Sequence, residues 1–166
     1  MRAERGFGPL GLLVLLVVLA VGAPLAPAVG ADLARLEQPT IQVRDAYTLP
    51  AGRDVRSRPV YLTLTNATAQ GDALIRASSP YAEKVVLQRT VVNDLGVAII
   101  TPLKPQRIPL PARSEVMLSP GHLHLLLQGL HQELYPGLEL PLKLVFEHAP
   151  AMYITVAIGA PRKDAK

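Results

Sequence analysis

The residues that follow an apolar leader predict an all-β domain, an antiparallel Greek-key β-sandwich or barrel. Three observations carry this expectation. Short aliphatic and β-branched segments alternate with period two and are separated by turn signals. No stretch behind the leader keeps an amphipathic helical period over three turns. The chain of 166 residues has no cysteine, so a hydrophobic core and not disulfides must hold it together.

The leader comes first. Arg2 and Arg5 precede an apolar run from Leu10 to Val21, followed by the small residues Ala26-Pro27-Ala28 and Val29-Gly30-Ala31. A basic start, a short apolar run and small residues at the cleavage positions are the marks of a secretory signal peptide. Residues 1–31 are therefore expected to be removed after Ala31, with Ala28 as the alternative site. A retained anchor is the competing reading. The run is short of the roughly 20 apolar residues a spanning helix needs, and Pro24 and Pro27 interrupt it. With no cysteine behind the run, a lipid anchor on a thiol is not expected. Residues 32–40 read as a polar lead-in, 41–160 as one domain and 161–166 as a solvated tail.

Within the domain the expected strands are Ile41 to Tyr47, Val60 to Thr65, Ala73 to Ser78 and Lys84 to Val92. They continue with Val97 to Thr101, Glu115 to Leu118, His122 to Gln128, Leu138 to Phe146 and Met152 to Ile158. Asn93-Asp94-Leu95-Gly96, Ser119-Pro120-Gly121 and Tyr135-Pro136-Gly137 are turn signals between them. His131 to Leu134 has room for a single helical turn.

Several functions are excluded on composition and motif. A net charge of +4 spread along a chain with few aromatics does not suit nucleic acid. Without cysteine there is no thiol catalysis, iron–sulfur cluster or blue-copper centre. There is no G-x-S-x-G, no phosphate-cradling glycine loop and no suggestively paired carboxylates, so an enzyme is not expected. Asn66-Ala67-Thr68 has the form of a glycosylation acceptor, but it sits in a turn and is read as one; so is Ser78-Ser79-Pro80.

His122 and His124 are the residues that suggest chemistry. At i and i+2 on a strand they leave one face together, and two neutral imidazoles can hold Cu(II) or Zn(II) if Gln88, another His or water completes the shell. The plainer alternative is two polar residues on a solvent face. Met117 and Met152 could supply thioethers from neighbouring strands, but the plainer reading is of core gap-fillers; His131 and His148 read as surface residues.

The order of three sequence blocks resembles the periplasmic copper chaperones of the PCu(A)C type. The first is Val43-Arg44-Asp45-Ala46-Tyr47 with the strand from Val60 to Asn66. The second runs from Leu74 to Leu87 through Ala77-Ser78-Ser79-Pro80. The third runs from Ile108-Pro109 through Pro120-Gly121 and His124 to Gly129-Leu130, then Pro136-Gly137. The resemblance implies a cupredoxin-like Greek-key sandwich in the periplasm. It also implies copper, as Cu(I) or Cu(II), destined for the Cu(A) site of cytochrome c oxidase. The family closes two His and two Met on copper. Here those positions fall on Gln88, Ile100, His124 and Leu126, so that one family ligand of four is present, and His122 is an addition. The metal contacts expected are thus His124, His122 and, as a weak third, Gln88. The resemblance further implies a monomer without a stable membrane anchor after cleavage, and without nucleic acid. Its partner would be an oxidase subunit or another periplasmic copper protein. The alternative is a family member that binds no metal and serves as a protein-interaction module.

Overall fold

The computed structural model describes residues 41–159. The expected signal peptide over 1–31, the lead-in over 32–40 and the tail over 161–166 lie outside the described residues. Ten strands and no helix make up the described chain: β1 Ile41–Thr48, β2 Ser57–Asn66, β3 Asp72–Ser78, β4 Ala82–Val92 and β5 Ala98–Pro102, then β6 Ile108–Leu110, β7 Ser114–Leu118, β8 Leu123–Leu130, β9 Leu140–Phe146 and β10 Met152–Ile158. Hydrogen bonding joins them in the order β5-β4-β8-β2-β1-β10-β9-β3-β6, and β7 pairs with β2 alongside β8.

Alternation decides what faces inward. Val60, Leu62 and Leu64 of β2, Leu87 of β4 and Leu125 and Leu127 of β8 enter one apolar cluster. Leu74 of β3, Ile108 and Leu110 of β6, Leu140, Leu142, Leu144 and Phe146 of β9, and Val156 of β10 join them. Each such side chain contributes about 1.5–3 kcal/mol on burial, which is how a chain without disulfides is held. Because β4, next to one end of the strand order, and β6 at the other feed this one cluster, the sheet folds over on itself.

Three expectations are corrected. The sheet is not wholly antiparallel: β1 and β10 run parallel, with Tyr47 opposite Ala157 and Thr48 opposite Ile158. A register shift between Arg44 and Tyr47, with Asp45 at φ 53°, interrupts the β1–β2 ladder; beyond it Tyr47 and Thr48 pair with β2 on one side and β10 on the other. The second correction is β6, three residues around Pro109, which the sequence reading passed over. It closes one end of the strand order, where a proline costs no central ladder bond. The third is the segment from His131, which is not helical; Leu134 instead bridges to Ala51 through a pair of 2.8 Å backbone bonds.

Two buried polar side chains tie loops to the sheet. Asn66, 1% exposed, donates from Nδ2 to the Gln70 and Leu110 carbonyls, and its Oδ1 accepts from the Thr68 amide and hydroxyl. It is a turn clamp, closed to any glycan. Asp72, whose side chain is 8% exposed, accepts backbone N–H bonds from Ala73, Glu147 and His148 on Oδ1 and from Ala149 on Oδ2. It fixes the turn between β9 and β10.

Candidate metal centre

The site is built by the β4–β8 ladder. Gln88 of β4 stands directly opposite His124 of β8, which brings their Cβ atoms to about 5 Å. On both strands the residues either side, Leu87 and Leu125, are core, so Gln88 and His124 share the outer face. Val86 opposes Leu126 on the same face, and Thr90 opposes Ile100 of β5 one strand further out. The four positions singled out by the resemblance, Gln88, Ile100, His124 and Leu126, therefore form one patch.

Burial within the patch is uneven. Gln88 is 6% exposed and His124 is 5% exposed, although both lie on the outer face, whereas Ile100 at the sheet edge is 60% exposed. Tyr61 of β2 supplies part of the cover, its ring centroid 6.3 Å from that of His124, and Tyr47 lies against it in turn at 5.2 Å. Burial first, and the neighbouring Tyr47 second, push the Tyr61 phenol above its ordinary pKa, so it stays neutral beside the imidazole.

A Pro-Gly turn sets the approach to β8. Pro120 and Gly121 are the central residues of the turn Ser119–His122, closed by a 3.1 Å bond from His122 N–H to the Ser119 carbonyl, with Gly121 at φ 80°. This is the turn geometry that requires glycine at its third position. It places His122 just ahead of β8 and exposed, not within the strand as the spacing predicted. The two imidazoles are therefore unequal: His124 is buried, His122 is in solvent.

His122 reaches His124 through its backbone. The His122 carbonyl accepts the Thr90 N–H at 3.0 Å and lies 3.1 Å from His124 Nδ1. A carbonyl only accepts, so Nδ1 must carry the proton and Nε2 carries the free lone pair. That is the arrangement in which a second contact fixes the tautomer of a metal-binding histidine. Across the ladder, Gln88 Oε1 is buried with no hydrogen-bond partner. An orphaned buried oxygen costs about 1–3 kcal/mol, and Oε1 is thereby left available as a donor atom. Two donor atoms, one nitrogen and one oxygen, fit a metal ion but are too few for a closed shell.

Of the side chains on this face, sequence reasoning overlooked Tyr61 and misplaced Met117. Tyr61 was readable from the period-two pattern of β2, which puts it opposite to Val60 and Leu62. Met117 was expected in the core; it is 60% exposed on the outer face of β7. Its neighbour Leu118 took the inward position. Met152 is half-buried against the core, and His131 and His148 are at the surface as expected.

A second cluster has metal-like composition but is already occupied by protein. Ligand atoms of Asp72, Glu147 and His148 lie within 4.8 Å of one another. Both Asp72 oxygens accept backbone N–H groups, and Glu147 is paired with Arg107. Burial would raise the Asp72 carboxyl, but the amides of Ala73, Ala149 and His148, helped by the His148 ring, outweigh it and hold the pKa below 3.8. Two cavities, of about 600 Å³ beside Tyr81 and Tyr135 and about 400 Å³ beside Arg89 and Lys104, are lined by neither Gln88 nor His124.

The all-β fold described above is shared with PCuAC domains of solved structure. The LpqE-like lipoprotein family model matches residues 41–158, and the chain belongs to that family. Among solved structures, the apo PCuAC domain from PmoF1 is similar with a TM-score of 0.61 and 22% identity, covering 74% of this chain and 95% of that one. The copper-bound PCuAC domain from PmoF2 is similar with a TM-score of 0.59 and 22% identity, over 74% and 94%. The CuI-DR1885 structure from Deinococcus radiodurans gives a TM-score of 0.59 and 23% identity, over 81% and 88%. No curated protein matches the chain.

Proposed function

We propose that this protein is a copper carrier, holding a copper ion as cargo at the outer face of β4 and β8. The observation that carries the reading is the facing pair Gln88–His124, with Nε2 left as the free nitrogen and Oε1 buried without a partner. His124 would supply the principal bond, His122 would reach in from the turn, and Gln88 would be the weak third donor. Copper-bound relatives of the same fold support copper over zinc. An incomplete, outward-facing set suits delivery, because a recipient can add its own ligands one at a time before the carrier lets go. We read the strands as a cupredoxin-like Greek key acting as a monomer, and the basic start and short apolar run of residues 1–31 support export to the periplasm. The recipient would be a copper protein such as the Cu(A) subunit of cytochrome c oxidase.

A second reading has its own observation. Val91, Val92, Leu95, Val97, Ile99 and Ile100 are all exposed along the β4–β5 hairpin, next to the patch. Such a surface suits a protein-interaction module that binds no metal. Anaerobic Cu(I) titration against a chromophoric chelator separates the two. The carrier reading expects one copper per chain, abolished in His124→Ala and weakened in His122→Ala. Absence of competition by the unaltered protein would sink it in favour of the interaction module.

A further inference from the structure

We infer that Met117 is a copper ligand, a thioether supplied from β7 in place of those missing at Ile100 and Leu126. The inference rests on the carrier reading above and names a donor that the resemblance does not contain.

Placement comes from the register of β2, which pairs with β7 at one end and β8 at the other. Met117 stands opposite Thr63, and Leu118 opposite Leu62. Further along β2, Val60 stands opposite Leu125, so Tyr61 is level with the β7–β8 junction and His124. Tyr61 and Thr63 are two residues apart and share a face. Met117 therefore emerges on the face where the Tyr61 ring lies 6.3 Å from the His124 imidazole. The tight Ser119–His122 turn links β7 to β8, and the two strands follow one another along the β2 ladder. Met117, Tyr61, His124 and Gln88 are in this way successive residents of one outer surface.

Exposure is the second observation. Methionine is normally a filler of core gaps, yet Met117 is 60% exposed while its neighbour Leu118 is 1% exposed. Packing does not require a thioether here. Its chemistry supplies a reason: a soft sulfur selects Cu(I), and His124 Nε2 alone does not. The third observation is the Gln88 Oε1, buried without a hydrogen-bond partner on this same surface and so available as a further donor. A nitrogen from His124 and a sulfur from Met117 would make a mixed shell of the kind that suits Cu(I), with Gln88 or His122 completing it.

The test compares the purified protein with Met117→Leu, a volume-conserving change at an exposed position, and with His124→Ala. Cu(I) affinity is measured by chelator competition. The methionine methyl resonances are followed by NMR on addition of Ag(I), a diamagnetic soft ion. With three methionines in the sequence the assignment is simple. We expect Met117→Leu to weaken Cu(I) by at least about tenfold, the lower end of what supporting groups of metal sites contribute. The Met117 methyl should shift with Ag(I) and the Met152 methyl should not. Binding that is lost in His124→Ala but unaltered in Met117→Leu would overturn this assignment and leave the carrier reading standing. No Cu(I) binding by the unaltered protein would overturn both.

Discussion

The two polar clusters of this domain, at Asp72 and at Gln88–His124, are both shielded from water and opposite in every other respect. Asp72 has four backbone donors on two oxygens and nothing left to offer. Gln88 leaves an oxygen unpartnered, and His124, opposite it on the ladder, leaves a nitrogen lone pair. Both carry ligand-type atoms, so composition alone cannot separate them. Saturation separates these two: Asp72 spends both oxygens on backbone amides, whereas Gln88 Oε1 has no partner in the fold.

The strongest way to sharpen the contrast is to complete the unfilled site. In the triple variant Gln88→His, Ile100→Met and Leu126→Met, the family's ligand types stand at positions that already form one patch. Cu(I) affinity should rise by about 100-fold or more, measured by chelator competition, given the 10–100-fold scale of changes around metal shells. No gain would mean that the patch is not the metal surface.

Breaking the filled cluster should cost stability and leave copper alone. Asp72→Ala strands several amides of the β9–β10 turn and should lose roughly 3 kcal/mol in chemical denaturation. Its pH dependence follows from the sign of the shift. The folded-state pKa lies below 3.8, so the stabilisation is complete above that value. It is lost as pH falls from 3.8 towards the folded pKa. The unaltered protein should show this acid loss, and Asp72→Ala should lack that part of it. Identical acid profiles would refute the clamp.

A smaller effect of opposite sign is expected at Gln88. Gln88→Leu removes the orphaned oxygen while keeping bulk, so the metal-free domain should gain up to about 1 kcal/mol. A clear loss would show that the Gln88 amide is satisfied in solution. The smallest effect on stability belongs to His122→Ala. That variant keeps the carbonyl that holds His124 Nδ1 and the Thr90 amide, and its melting temperature should be nearly unchanged. A large drop would place the His122 ring in a packing role that its exposure does not suggest.

Legibility followed from how local each signal was. Nine of the ten strands could be read because alternation is a property of consecutive residues. The exception, β6, has only three residues, too few to show a period. His124 and Gln88 were both picked out as metal contacts from spacing and likeness. That they face each other was not readable, because register is set by the whole β4–β8 ladder. His122 was misplaced for a comparable reason: alternation assumes a continuous strand, and the Pro120-Gly121 turn ends before it. Met117 was assigned to the core by its residue type, and β7's pairing with β2 turned it outward.

The sequence by itself determined an all-β chain, its turns, the lack of any cysteine to stabilise it and a histidine at position 124. Those are facts of residue identity and short-range periodicity. Tertiary structure alone decided the rest. The parallel closure of β1 on β10, the saturation of Asp72, the orphaned Gln88 oxygen and the shared face of Met117 and His124 all depend on strands distant in sequence. Hydrogen-bond satisfaction and burial are set by partners that only the folded sheet brings together.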